Sequence, residues 1–296
     1  MRKIFMLNGK PFAMFFNASP RKGWNTAKML ESAKAGAEEA GAETELVNLY
    51  DFPFAGCKSC FACKLKNAKT NGVCALRDEL RPILERARQA DVLVLGSPIY
   101  FSYPTGVYRA FLERLAFPVY SYHYENGKPL VCRDKVIETA NIFTMNCPEE
   151  MMKDVGYPTL LEANTQTLAG VFGASETLYA CNTYQFADYS RYDMTIFTEE
   201  EKRAYRDAHF PTDLANATPS ASALSKRRRP TSPESASTRH DDDNIPTPPS
   251  PPMASSPTRP NPKSSRTSSS YMRKRLKDKE TGLSLKSFKS LKPADR

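Results

Sequence analysis

Residues 12–26 read FAMFFNASPRKGWNT, and their pattern decides the fold. Phe12–Asn17 is a continuous apolar run, short enough to be a buried strand, and it ends in a Ser-Pro turn. Beyond the turn, Thr26–Gly41 places Met29, Leu30, Ala33, Ala37 and Ala40 at i, i+3/i+4 spacing, the stripe of an amphipathic helix. A buried strand feeding a helix through a polar turn is the unit of a parallel sheet. The unit recurs along the chain. Thr44–Leu49 alternates like a strand and Leu80–Ala90 is amphipathic. Val92–Leu95 is a short apolar run, suited to a strand covered on both faces, and Thr105–Phe117 is helical. Val136–Phe143 and Glu176–Cys181 read as strands on either side of a helix around Tyr157–Phe172, and Glu199–Ala217 as a last helix. Five strands alternating with helices predict an α/β doubly wound, five-stranded parallel sheet over residues 12–218. In such sheets a ligand sits beyond the carboxyl ends of the strands, so the loops after Asn17, Leu95 and Phe143 are the ones to inspect.

The charge lies outside this unit. Residues 219–296 carry 17 Lys/Arg against 7 Asp/Glu, and the rest of the chain is nearly neutral, so the net charge of +9 belongs to the tail. The tail also holds 12 of the 23 prolines and 17 serines. Such a segment buries too little apolar surface to offset its ordering entropy, so residues 219–296 read as a disordered basic tail. Its KRRRP and YMRKRLKDK clusters suit non-specific contact with nucleic acid, and only there is such contact expected. Residues 1–11 read as an extension or an extra strand around Ile4–Asn8. No apolar run reaches the length of a membrane span, and the start lacks a full signal-peptide core, so a cytoplasmic protein is expected.

The loop N-A-S-P-R-K-G-W-N-T has the makings of an anion site. Pro20 sets a turn, Gly23 permits an unusual φ, and Asn25 or Thr26 is placed to cap the helix. The free amides of a first helical turn converge on one point and favour negative charge, to which Ser19, Thr26 and Arg21 add donors. The loop is neither a Walker loop nor the GxGxxG fingerprint. With the cysteine-rich stretch Cys57–Cys74, the segment ADVLVLGSPIYFSYPTGVYRAFLERL and the segment FTMN, it resembles the NADPH-dependent FMN reductase and iron-sulfur flavoprotein group of flavodoxin-like proteins. The four segments agree with that group in order and spacing, from about residue 12 to about residue 214.

The resemblance implies roles residue by residue. Ser19, Arg21, Asn25 and Thr26 would hold the FMN phosphate. Ser97, Pro98, Ile99, Tyr100 and Phe101 would follow the isoalloxazine edge and ribityl chain, and Thr144, Met145 and Asn146 would lie on the other side of the ring. It implies an FMN-dependent NAD(P)H oxidoreductase that passes electrons to a flavin, quinone or other small acceptor, as a homodimer or homotetramer. The alternative is an electron carrier with a [4Fe–4S] cluster. Cys57, Cys60, Cys63 and Cys74 form C-x2-C-x2-C-x10-C, whose opening matches bacterial cluster ligation although the last gap is longer than the group's. That spacing leaves three chemistries open: a cluster, free thiols near the flavin or a subunit interface, and zinc or a redox disulfide. The three histidines, His123, His209 and His240, sit at no nucleophile or metal-ligand spacing. Such scarcity suits a flavin enzyme, whose cofactor carries the chemistry.

Overall fold

A computed structural model of the chain describes residues 10–226 other than 69, 71, 126 and 127. The strand expected around Ile4–Asn8 and the tail from residue 227 on lie outside the described residues. In chain order come β1 (Phe12–Asn17), α1 (Asn25–Glu39), β2 (Glu43–Asn48), α2 (Leu80–Ala87), β3 (Val92–Tyr100), β4 (Tyr103–Pro104), α3 (Gly106–Ala116), β5 (Tyr120–Glu125), β6 (Lys128–Val131), β7 (Glu138–Thr144), α4 (Glu149–Asp154), α5 (Tyr157–Phe172), β8 (Ser175–Ala180) and α6 (Glu199–Lys226).

Five strands pair in parallel in the order β2-β1-β3-β7-β8, the flavodoxin-like arrangement. Strand alternation sorts their side chains to two faces. Ala13 and Phe15 of β1, Val92 and Val94 of β3, and Ala140 and Ile142 of β7 join Met29, Leu30, Ala33 and Ala37 of α1 and Phe210 and Ala217 of α6. Met14, Phe16, Leu93, Leu95 and Phe143 face the other way, onto α2, α3 and α5. There Phe16 and Phe111 meet at 4.5 Å between ring centroids. Burying each such phenyl ring stabilises the fold by roughly 1.5–3 kcal/mol.

Three features depart from the sequence expectations. β3 does not stop at Leu95. Ser97 and Pro98 pair with Phe143 and Thr144 of β7, and the chain then turns back at Phe101 and Ser102, both in the left-handed region, so that Tyr103 opposes Tyr100. Partner strands override the weak strand preference of Gly, Ser and Pro. The Tyr-Ser-Tyr-His-Tyr stretch, outside the five strands read from the sequence, is one arm of the antiparallel hairpin β5–β6, as its period-2 alternation before Asn-Gly indicates. Finally, α6 runs to Lys226, past the boundary placed at 218.

α6 lies against α1, with a close approach at Gly36. A Cβ there would stand 2.5 Å from Thr218 Cγ2 and 2.6 Å from the Thr218 carbonyl oxygen, and Ser32 hydrogen-bonds Thr218 at 2.9 Å one turn away. Gly36→Val should therefore force the helices apart and destabilise the protein by about 1–3 kcal/mol in urea unfolding. Gly170 on α5 faces open space, so Gly170→Ala should instead stabilise by about 0.5–1 kcal/mol. Equal behaviour of the two variants would show that α6 does not dock on α1 at Gly36.

Candidate functional site

The carboxyl ends of β1, β3 and β7 lie side by side, so the loops that follow them meet at one edge of the sheet. The first loop is braced from within. Asn17 Oδ1 accepts from the Ser19 amide at 3.0 Å, and Ser19 Oγ accepts from the Arg21 amide at 3.2 Å. Gly23 does not adopt a positive φ, and no side chain caps α1, whose N-cap position is Trp24. The two residues expected to cap are employed elsewhere. Asn25 Nδ2 donates to the Tyr184 carbonyl at 2.8 Å, and Thr26 Oγ1 shares a 2.7 Å hydrogen bond with Thr144 Oγ1. The first-turn amides of α1 consequently have neither an intrahelical acceptor nor a side-chain cap, the donor set that an anion satisfies.

The second loop is split by burial. Ser97 is fully buried; its hydroxyl accepts from the Thr105 amide at 3.0 Å and donates to the Pro98 carbonyl at 2.8 Å. Pro98 and Ile99 are half-buried, and Ile99 packs on the core. Tyr100 is 46% exposed and Phe101 99% exposed at a φ of +49°. A phenyl group held wholly in water on a left-handed backbone is costly, and such expense clusters at binding surfaces.

In the third loop Thr144 and Met145 are buried, and Asn146 Oδ1 is a buried acceptor without a hydrogen-bond partner. All three loops lie at the same edge, while the Ser97 hydroxyl and the Asn25 amide are engaged within the protein.

Two contributors escaped sequence reading. The segment after β8 lies over the first loop: Arg21 Nη1 donates to the Gln185 carbonyl at 2.6 Å and Trp24 Nε1 to the Tyr184 carbonyl at 3.0 Å. Lys202 of α6, 1% exposed, donates through Nζ to the Asn146 carbonyl at 2.7 Å and to Asn182 Oδ1. Neither leaves a local signal, because each acts on residues distant in sequence.

The four cysteines of the C-x2-C-x2-C-x10-C stretch line one pocket with Phe61, Phe117 and Arg114. Cys74 is buried and Cys60 exposed. Among the described residues, no three of the His, Cys, Asp or Glu side chains stand in metal-holding geometry. Arg114 organises this pocket. Its fully buried guanidinium donates to Cys74 Sγ at 2.9 Å, to the Ala55 carbonyl at 2.9 Å and to both carboxylate oxygens of Asp78 at 2.8 and 2.9 Å. One cation thus closes both ends of the 55–78 excursion onto α3. Burial pushes the Cys63 thiol above its usual range.

Residues 12–134 match the family described as NADPH-dependent FMN reductase. An iron-sulfur flavoprotein of Archaeoglobus fulgidus is 34% identical over 98 residues, which span 33% of this chain and 45% of that protein. An iron-sulfur flavoprotein of Methanosarcina thermophila is 35% identical over 89 residues, spanning 30% of this chain and 44% of that protein. The chain therefore covers less than half the length of the curated relatives it matches. An NAD(P)H:quinone oxidoreductase from Methanothermobacter marburgensis shares the fold with a TM-score of 0.52 at 14% identity, covering 73% of this chain and 99% of that one.

The hydrogen bonds of Arg114 hold the Asp78 carboxyl below the usual carboxylate range. Its folded-state value is depressed, so the ion pair's contribution is complete above the unfolded value near 4 and is lost as the pH falls through the folded one. Asp78→Asn, which strands a buried guanidinium, should cost about 2–3 kcal/mol of unfolding free energy at pH 7. The gap to wild type should narrow as the pH is lowered below about 4. Denaturant titration at several pH values measures it, and a gap that stays constant would rule out the ion pair as its source.

Proposed function

We propose that the domain is an FMN-dependent NAD(P)H oxidoreductase that delivers electrons to a flavin, quinone or other small acceptor. One observation carries the reading. The uncapped amides of α1, the exposed edge Tyr100–Phe101 and the unsatisfied Asn146 Oδ1 belong to the three loops at one end of the parallel sheet. That donor set fits FMN: an anion for the helix terminus, an apolar body for the aromatic edge, and a donor for Asn146. The family match over residues 12–134 supports the same cofactor.

In this reading Ser19, Arg21, Asn25 and Thr26 build the phosphate end, with the direct contacts coming from the α1 amides and the Arg21 charge, while the Ser19 hydroxyl braces the loop through the Arg21 backbone. Asn25 and Thr26 shape the loop through Tyr184 and Thr144. Ser97, Pro98, Ile99, Tyr100 and Phe101 form one wall; Ser97 takes part through its backbone, since its hydroxyl is engaged. Thr144, Met145 and Asn146 form the other. When bound, FMN would supply hydride exchange with nicotinamide, and these residues would hold and orient it. The chain would act as a homodimer or homotetramer. Among the described residues no helix is long and apolar enough to cross a membrane, and a cytoplasmic site of action accords with thiols left free.

A second reading, an electron carrier with a [4Fe–4S] cluster, is favoured by one observation: Cys57, Cys60, Cys63 and Cys74 all line one pocket. Anaerobic purification with iron and acid-labile sulfide analysis decides it. Four irons per chain that vanish in Cys60→Ala, while NADPH oxidation persists, would mean the protein holds both groups; iron far below stoichiometry discards the cluster.

The apoprotein should bind one FMN per chain with quenching of flavin fluorescence. Arg21→Ala should weaken FMN about tenfold or more, the size of a lost charge-assisted hydrogen bond, and leave riboflavin, which lacks the phosphate, unaffected. Equal losses for both ligands would remove Arg21 from the phosphate site, and no binding of either would end the FMN reading.

A further inference from the structure

Lys202 stands one turn into α6, with 1% of its surface exposed. Its ammonium donates to the Asn146 carbonyl at 2.7 Å and to Asn182 Oδ1, and lies 4.0 Å from the centre of the Phe197 ring. All three partners are neutral. The acidic groups that act on it are Cys147, from the loop after β7, and Glu201, its neighbour on α6. Burial pushes the Cys147 thiol above its usual range, so it is uncharged near neutral pH and cancels nothing. Contrast Arg114, whose charge is matched by Asp78.

A buried cation without a hydrogen-bonded carboxylate is expensive, and desolvation accordingly brings Lys202 down to about 8. If joining two loops were its whole task, a neutral amide donor would perform it at less expense. The charge sits directly behind Asn146, whose Oδ1 is buried and unpaired, and beside Asn182, held at a φ of +51°. In a water-poor site a fixed cation acts strongly on any charge that develops nearby.

We propose that Lys202 is a positioning residue that fixes the loop 144–146 and stabilises the negative charge that bound FMN gains on reduction. This rests on the FMN reading above. The charge favours the reduced cofactor over the oxidised one, raising its midpoint potential, and it acts through the loop without touching the cofactor.

The test uses the full chain as wild type, Lys202→Met, Lys202→Gln and Lys202→Arg. Dissociation constants for oxidised and for anaerobically reduced FMN are measured with thermal melting alongside. In the Met and Gln variants reduced FMN should lose about tenfold more affinity than oxidised FMN, equivalent to a fall of about 30 mV for a two-electron couple. The Arg variant should keep the wild-type ratio. In wild type the ratio should move toward that of Lys202→Met as the pH rises past about 8, where the ammonium loses its proton. Lys202→Gln keeps a donor for Asn146 and Asn182, and serves where Met prevents folding. A wild-type ratio in the Gln variant, with or without a lower melting temperature, overturns the proposal and leaves a structural clamp. Equal losses of both forms overturn it as well. Failure of the wild type itself to bind FMN would instead bring down the reading on which it rests.

Discussion

The site depends on the parallel register of β1 and β3, at which strand order reverses direction. Their last pair is Asn17 with Gly96, extended by the Ala18 amide donating to the Gly96 carbonyl at 2.8 Å. The Ala18 carbonyl in turn accepts from Thr105 Oγ1 at 2.9 Å, and the same hydroxyl caps α3 by accepting from the Tyr108 amide. One threonine therefore ties the end of β1 to the hairpin after β3 and to the start of α3. Gly96 also lets α1 come close, since a Cβ there would stand 2.7 Å from Leu30. Without that register the first and second loops would not meet.

Two buried cations extend the same logic outward in opposite electrical styles. Arg114 holds the cysteine excursion to α3, and its charge is matched by a bidentate carboxylate. Lys202 holds the loops after β7 and β8 to α6 through neutral oxygens only. A matched charge adds geometry and little field; an unmatched one adds both.

Much of the site was legible because its residues are local. A strand, a Ser-Pro turn and a helix carry their amides to one point, so Ser19–Thr26 declared a candidate anion site within eight residues. What each side chain does there was not legible. Asn25 and Thr26 suit helix caps by type, yet Tyr184 and Thr144 claim them, because partners more than a hundred residues away were folded against them. Ser97 reads as a polar loop residue, yet pairing with β7 draws it into the sheet and buries its hydroxyl.

Periodicity by itself determined the layered α/β plan and the three loops that matter, since side-chain spacing declares which face of each element must leave water. It also drew attention to the residue types of a candidate anion site and grouped four cysteines in one excursion. Tertiary structure alone decided that β3 runs on to Tyr100, that Phe101 projects bare, that Arg114 anchors the cysteines and that Lys202 stands charged behind Asn146. The reason is common to all four. Each depends on a partner brought near by folding, and burial, pairing and charge compensation are properties of neighbours in space rather than of neighbours in sequence.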